Sequence, residues 1–289
     1  MTPIDQIKML MALVDDINDV LSRYGIDKCI TLSDITVTGK TVSDLVKPHA
    51  TLSEAITNHL WPSISSEVVY HYTSLDAAES ILNSGTFRLT NIEKRYQEGE
   101  IETFCRAHDL FGYLEATANG APLYKSLLMS NTYYASFTGS NLTPEREKYL
   151  WTTFATHDGV RLKLKITASN PNFRRIKYEV KPGEPIPVIS DLVSTIRKKY
   201  GREFILKGIS RLCSFYLSGQ DYGIENELRA LHRTWDGFGP QPVGQGPHSY
   251  IELPIGTMSE CGYQIDVLEV QSRNRPSMPN SFNFSSRPA

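Results

Sequence analysis

Apolar residues recur every three or four positions along the first twenty residues, the spacing of one face of an α-helix. The pair Thr2-Pro3 suits the start of such a helix, and Gly25 suits its end. A second helix is expected to end before Pro62, because proline cannot continue a helix. The segment between them is rich in Ser, Thr and Asp and is interpreted as a loop. Residues 1–66 are therefore predicted to form a small helical appendage.

The apolar face of the first helix must be covered by something, because an amphipathic helix gains most of its stability by burying that face. We expect it to pack on the rest of this chain. The alternative is a protein partner bound at residues 1–66. We further expect the remainder of the protein to fold without residues 1–24.

From Val68 onward, strand-like and helix-like segments alternate. The clearest strand is Val160–Ile166, where apolar side chains alternate with Arg and Lys. Several links between strands are too short for a helical crossover, which favours antiparallel or mixed pairing. We therefore predict an α+β domain over residues 67–272, followed by a flexible tail at 273–289. The segments expected to be strands are VVYHYTS, FRLTN, NTYYASFTG, GVRLKLKI, RRIKYEV, ENELRALHR and YQIDVLEV. Those expected to be helical are LDAAESILNSG, Tyr96–Leu114, EREKYLWTTFA and IPVISDLVSTIRKKYGREFILKGIS.

Composition narrows the range of functions. A net charge of −2 gives no overall attraction to nucleic acid or to an acidic membrane. The sequence contains no apolar run of roughly 20 residues, and its N-terminus lacks the basic lead of a secretion signal. The four cysteines form no C-x-x-C pair, so free thiols in a reducing, cytoplasmic compartment are expected and no metal site is predicted.

Two strand segments carry polar side chains suited to binding a small molecule. In the first, His71 and Thr73 share one face, where imidazole and hydroxyl groups can hold a ribose or a carboxamide. In the second, hydroxyl and aromatic side chains alternate around Tyr134 and Ser136, and Trp151 follows on a helix. Aromatic rings can stack on a planar ligand. Each segment is also compatible with an ordinary half-buried strand.

A third segment contains two carboxylates. If Glu225-Asn226-Glu227-Leu228-Arg229 is a strand, its period of two places Glu225, Glu227 and Arg229 on one side. Glutamate is depleted in strands, so the pair is unusual. The alternative is a surface ladder in which Arg229 pairs with Glu227, an arrangement that contributes little energy.

These segments, taken in order, resemble the DUF2971 family. The array is HYTS…SILNSGTFRLTNIEK, then YYASFT, LWTTFA…DGVRLKL and ENELR, over roughly residues 68–235. That family is grouped with the ADP-ribosyltransferase-like fold, in which a split, two-sheet β core binds NAD. One departure occurs after LTNIEK, where the family has an Asn-Asp-Pro turn and this chain reads RYQEGE. Glu98 or Glu100 is a candidate to stand near the site there.

The resemblance implies a role for each candidate residue. His71 would hold a ribose of NAD, Tyr134 or Ser136 would follow on a middle strand, and Glu227 would be the catalytic glutamate. Glu225 would lie on the acceptor side of the Glu-x-Glu pair. The neighbouring Tyr72 and Thr73, together with Trp151, complete the set of expected NAD-binding residues.

The implied reaction breaks the bond between nicotinamide and ribose. A fixed carboxylate is suited to stabilising the positive charge that develops on the sugar. The resemblance thus implies an NAD-dependent ADP-ribosyltransferase that modifies a protein or nucleic-acid acceptor, either in its own cytoplasm or after delivery into a target cell as an effector or defence toxin. The competing hypothesis is a non-catalytic binding module that keeps the fold, since fold alone never proves activity.

Overall fold

The computed structural model describes residues 2–45, 51–95, 100–116, 118–127, 129–155, 158–179, 184–218, 221–234 and 239–273. Nine α-helices lie within these ranges. They are α1 (Pro3–Arg23), α2 (Thr51–Leu60), α3 (Leu75–Ser84), α4 (Ile92–Arg95), α5 (Glu100–Ala107), α6 (Leu123–Leu127), α7 (Pro144–Thr153), α8 (Pro187–Tyr200) and α9 (Ile209–Ser214).

Thirteen strands lie within the same ranges. They are β1 (Ile35–Thr38), β2 (Thr41–Asp44), β3 (Ser66–Thr73), β4 (Thr86–Asn91), β5 (Thr132–Gly139), β6 (Val160–Ala168), β7 (Phe173–Arg175), β8 (Lys177–Glu179), β9 (Glu203–Ile205), β10 (Tyr216–Ser218), β11 (Glu227–Arg233), β12 (Tyr250–Pro254) and β13 (Tyr263–Ser272). The predicted α+β class is confirmed.

The main sheet has eight strands, paired antiparallel throughout. One path runs β12-β4-β5-β3-β6-β13, while β11 pairs with β5 and with β7. The alternation predicted for β6 explains its position. Leu162, Leu164 and Ile166 are fully buried, whereas the intervening basic residues face outward. A mixed sheet of order β1-β2-β9 and a parallel pair of β8 with β10 complete the strand pairing of the described residues.

Helix α3 links the two strands that later define the site. Ser74 caps its start by accepting the Ala77 amide, and Gly85 ends it in the left-handed conformation at φ 64°. That conformation is accessible to glycine without steric cost. The chain then reverses directly into β4, so α3 connects β3 to β4 as the sequence predicted.

The first 66 residues are neither wholly helical nor separate in their packing. The segment interpreted as a loop forms the hairpin β1–β2, with Gly39 at φ 55° in its turn. Strand β2 pairs parallel with β9, so the hairpin is completed by a strand some 160 residues later in the chain. The predicted second helix begins at Thr51, and residues 46–50 lie outside the described ranges.

Helix α1 packs on α8, and its buried side chains belong to the same apolar core as those of α8 and α9. Polar contacts reinforce this packing, because Tyr24 donates to Asp191 at 2.8 Å and Tyr200 donates to Asp16 at 2.6 Å. The apolar face of α1 is thus covered in part by this chain, while Ile4, Ile7 and Met11 remain exposed. A domain boundary at residue 66 stays a prediction, and this shared core argues against it.

A fully buried arginine connects α2 to the main sheet. Arg174 on β7 donates to the carbonyl oxygens of Thr57 at 3.3 Å and of Trp61, and to the side chain of Asn58 at 2.5 Å. It therefore ties the end of α2 to β7, and the Thr57 carbonyl accepts from the Trp61 amide as well, at 2.9 Å. Burial lowers the pKa of Arg174 to about 10, with a contribution from Arg211.

Other predicted boundaries differ in detail. Within the expected helix Tyr96–Leu114, α5 covers Glu100–Ala107, and Asp109 leaves the helical region at φ 55°; residues 96–99 lie outside the described ranges. The expected strand RRIKYEV is divided into β7 and β8. Strand β12 was missed, because a Gly/Pro-rich loop precedes it. Within the described ranges, no helix combines the length and apolar character needed to cross a membrane.

Candidate functional site

The main sheet divides along one edge of β5. Strand β4 pairs with its beginning, as far as Tyr134, and β3 pairs with its end, from Thr138. On the opposite edge, β11 follows β5 continuously over residues 132–138. Residues 135–137 consequently have a register partner on β11 but none on β3 or β4. We call this opening the split.

His71 on β3 lies in the split. Its Nδ1 is 3.2 Å from the carbonyl oxygen of Ser136, and its ring contacts those of Phe87 and Phe137, at centroid distances of 5.0 and 5.9 Å. A carbonyl oxygen can only accept, so Nδ1 carries the proton in this contact. Nε2 is then the acceptor of the neutral imidazole, and the ring orientation is fixed by packing.

A cavity of about 190 Å³ adjoins His71 where β3, α3 and β4 diverge. Its polar lining consists of one imidazole, one guanidinium and several hydroxyls: His71, Thr73, Ser80, Ser84, Thr86, Arg88 and Thr90. Small-molecule pockets typically measure about 300–1,000 Å³, so this volume suits one part of a dinucleotide. Arg88 stacks over Tyr250 at 4.0 Å and pairs with Glu252 at 3.1 Å.

Glu227, the first residue of β11, is 5 % exposed. Its Oε1 accepts hydrogen bonds from the Ser136 hydroxyl and from Arg229 Nε at 2.7 Å, and its Oε2 accepts from Arg229 Nη2 at 3.3 Å. Its backbone amide donates to the Tyr178 hydroxyl at 2.9 Å. Burial raises the pKa of Tyr178, and the Glu227 carboxylate adds to that shift.

Arg229 connects this carboxylate to the surrounding core. Its Nη1 donates to the Ser214 carbonyl at 2.8 Å, and its guanidinium lies 4.4 Å from the centre of the Tyr134 ring. Arg229 and Glu227 are both buried, so their charges are paired away from water. The exposed ladder weighed from the sequence is thus a buried ion pair. Tyr134, the alternative to Ser136, supports Arg229 instead of the carboxylate.

Ser136 is the residue at which the predicted site residues meet. The register with β11 places Ser136 and Glu227 on one face of the sheet, whereas His71 projects from β3 on the other. The His71 ring nevertheless turns into the split and bonds the Ser136 main chain. His71 and Glu227 are therefore linked through Ser136, one to its carbonyl and the other to its hydroxyl.

Glu225 does not share the strand face expected for it. It ends a 3₁₀ turn at Asp221–Glu225, and β11 begins only at Glu227. The intervening Asn226 is left-handed, with φ 46°, and this conformation breaks the strand alternation. Glu225 is half-buried and accepts from the Tyr149 hydroxyl at 3.4 Å. Only Glu227 and Arg229 keep the predicted arrangement.

The remaining candidates are divided between two places. Thr73 lines the cavity beside His71. Tyr72 projects from the opposite face of β3 and contacts Trp151 edge-on, with ring centroids 5.2 Å apart. This pair belongs to a small apolar cluster with Leu150 and Ala155. Burial raises the pKa of Tyr72.

Sequence reasoning did not single out Tyr178, whose hydroxyl accepts from the Glu227 amide, or Arg175, which donates to the side chain of Asn226 between the two glutamates. Tyr178 is 49 positions from Glu227, and no spacing or motif connects them. Glu98 lies outside the described residues, and Glu100 begins α5. Among the described side chains, no group of three His, Cys, Asp or Glu is arranged to hold a metal ion.

Comparison of this chain with family models, with curated proteins and with solved structures finds no match. The resemblance to DUF2971 therefore depends on the sequence motifs themselves.

Proposed function

We propose that this protein is an NAD-dependent ADP-ribosyltransferase. The observation that carries the proposal is the arrangement around Ser136. Its carbonyl binds His71 within a split antiparallel sheet, and its hydroxyl binds the buried Glu227. A split β core with a histidine on an early strand and a glutamate on a late strand is what the DUF2971 resemblance implies. Ser136 connects His71, which projects from one face of the sheet, to Glu227, which projects from the other, and this connection supports the proposal.

The two oxygens of Glu227 differ in their capacity to bind a substrate. Oε1 already accepts from Ser136 and Arg229, whereas Oε2 accepts a single long bond at 3.3 Å. We assign Oε2 to the ribose of NAD, where it would accept from a sugar hydroxyl. Arg229 and Ser136 hold the carboxylate in place, so little reorganisation is needed during the reaction.

The chemistry then follows from the charge of this carboxylate. The bond between the ribose and nicotinamide breaks, its electron pair leaves with the nicotinamide nitrogen, and positive charge develops on the sugar. Glu227 stabilises that charge. An acceptor nucleophile, which is water or a group on a protein or nucleic acid, next forms a bond to the ribose and loses its proton. Glu225, outside the strand, is assigned to the acceptor side.

The cavity beside His71 is assigned to one ribose or carboxamide of NAD. Hydroxyls from Thr73, Ser84 and Thr86 line it, beside the His71 ring. Such groups match the directional donors and acceptors of a sugar. Tyr72 and Trp151 are assigned to packing behind β3 and not to contact with NAD.

The direct test compares the native protein with Glu227→Gln. The substitution keeps the size of the side chain and one acceptor oxygen while removing the charge, so nicotinamide release from NAD should fall on the order of 100- to 1,000-fold. Transfer of labelled ADP-ribose to proteins of a cell lysate should fall equally. Glu225→Gln should spare hydrolysis and weaken transfer.

Glu269→Gln is the matched control, because Glu269 is a partly exposed glutamate on β13 of the same sheet. It should behave as the native protein does. Full activity of a folded Glu227→Gln protein, checked by circular dichroism, would refute the assignment.

The alternative, a non-catalytic binding module, is favoured by one observation. Glu227 is 5 % exposed and already neutralised by Arg229, as a purely structural ion pair would be. In that case NAD would bind without nicotinamide release, or would not bind. Calorimetric titration of the native protein with NAD, run beside the hydrolysis assay, separates these outcomes.

A further inference from the structure

The turn between the two glutamates is conformationally unusual. Within the described ranges, Asn226 and Asp109 are the two residues other than glycine with positive φ. Asparagine tolerates this conformation better than most residues, yet it is held there only where its surroundings specify it. At Asn226 the conformation decides where Glu225 lies relative to Glu227.

Two adjacent residues of one segment hold this turn. Arg175 Nη1 donates to the Asn226 side-chain oxygen at 2.7 Å, and the Ile176 amide donates to the Glu227 carbonyl at 2.9 Å. Arg175 also pairs with Glu67 on β3 through Nη2 at 2.9 Å. The planar guanidinium binds both partners at once, which a lysine ammonium on a flexible stem does less well.

The end of β5 is shaped to accept this arrangement. The Gly139 amide donates to the Asn226 carbonyl at 3.1 Å. A Cβ atom at Gly139 would lie 2.6 Å from Asn226 Nδ2 and 2.9 Å from Arg175 Nη1, closer than such atoms can approach. The absence of a side chain at Gly139 therefore makes room for both groups.

We infer that Arg175 is a positioning residue that acts through Asn226 to set the placement of Glu225 beside Glu227. The inference rests on the proposed function for its catalytic meaning. It goes further by stating that the contact between Arg175 and Asn226 supports transfer of ADP-ribose to the acceptor, as distinct from hydrolysis of NAD. Glu227 has independent support from Arg229 and Ser136, so hydrolysis depends less on this turn.

The test is a double-mutant cycle with Arg175→Ala, Asn226→Gly and the double variant. Glycine retains the left-handed turn while removing the amide that Arg175 binds. Each single variant should lower transfer on the order of 10- to 100-fold. Hydrolysis and the KM for NAD should each change less than about three-fold. This effect is smaller than the loss of transfer that a misplaced Glu225 produces. The double variant should be no worse than either single variant, because both remove one contact.

Arg197→Ala on α8 serves as control, since it removes surface ion pairs with Asp109, which follows α5, and with Glu203 on β9. It should leave both activities unchanged. Losses that add in the double variant, or hydrolysis that falls as far as transfer, would overturn the inference.

If the native chain turns over no NAD, the proposed function fails. The positioning role of Arg175 is then tested by amide hydrogen exchange of residues 225–227. Exchange should accelerate by the same factor in all three variants if Arg175 holds the turn. Unchanged exchange in Arg175→Ala would show that Arg175 does not position it.

Discussion

At the scale of single residues, Glu227 is a buried carboxylate whose charge is balanced. Arg229 supplies the opposite charge and Ser136 a further donor, so the desolvation cost is offset by close contacts. Removing the charge of either partner leaves the other uncompensated, which is why the fold of the Glu227→Gln protein is checked by circular dichroism. The same pairing orients the carboxylate before any substrate binds.

A second buried titratable residue, His108, supports the fold away from the site. Its Nδ1 donates to the Phe104 carbonyl at 2.7 Å, and its Nε2 accepts from the Ile186 amide at 2.7 Å, at the start of α8. The contact with Ile186 needs the neutral ring, because a protonated Nε2 cannot accept a hydrogen bond. Burial lowers the pKa of His108 to about 4 from 6.5.

His108 should therefore make stability depend on acid pH. The unfolded chain binds a proton near pH 6.5 and the folded chain only near pH 4, so acidification through that window favours unfolding. The loss for the native protein should approach about 3 kcal/mol relative to His108→Gln, which cannot titrate. Burial raises the pKa of Asp44 to about 6, which opposes this effect. Urea unfolding of both proteins from pH 7.5 to 4 measures the difference between them, in which the contribution of Asp44 cancels. Parallel pH profiles would contradict the assignment.

At the scale of elements, α1 shows how one helix divides between buried and exposed apolar positions. Thr2 and Asp5 form a capping box at its start, as Thr2-Pro3 ahead of an acid suggested. Ile17 is fully buried against the core shared with α8, whereas Ile7 is 55 % exposed near the N-terminus. The helical period placed both residues on the apolar face of α1. It did not reveal how far along the helix that face is buried by the rest of the chain.

These two isoleucines provide a matched pair for a stability measurement. Ile17→Ala should cost about 2–5 kcal/mol, because it leaves a cavity in a packed core. Ile7→Ala should change stability by less than about 0.5 kcal/mol. Chemical denaturation of both variants measures the two values. Similar losses at both positions would mean that Ile7 is covered in solution, which would support a partner at residues 1–66.

At the scale of the whole molecule, the N-terminal segment and the main sheet are joined by contacts distant in sequence. Strand β2 pairs with β9, and Arg174 of β7 binds the last carbonyls of α2. A chain beginning at residue 67 would lose both partners and expose the core under α8. The guanidinium of Arg174 would remain with unsatisfied donors, a costly state in a buried group.

We therefore expect such a shortened chain not to fold cooperatively. The expectation that the remainder folds without residues 1–24 is a separate prediction and stays untested. Thermal unfolding should lack a sharp transition, and the near-ultraviolet circular dichroism of the native protein should be lost. Adding residues 1–66 as a separate polypeptide should restore part of the signal. A sharp transition in the shortened chain would instead establish a boundary at residue 66.

The sequence by itself determined the local elements and the choice of candidate side chains. Alternation in β6 and the caps of α3 act over neighbouring residues, so they can be read without tertiary contacts. The α+β class followed from the short links between strands. His71, Ser136 and Glu227 were selected because polar residues are unusual on such strands and because of a family resemblance.

Only the tertiary structure decided how those residues are arranged. The pairing of β5 with β11 places Ser136 beside Glu227, and the departure of β3 from β5 opens the split that receives His71. Burial of Arg229 likewise depends on residues distant in sequence. The left-handed turn at Asn226 moved Glu225 off the strand, because Arg175 and Gly139 hold that turn from two other strands. Local patterns carry no record of such partners, since strand register and burial are set by packing between distant segments.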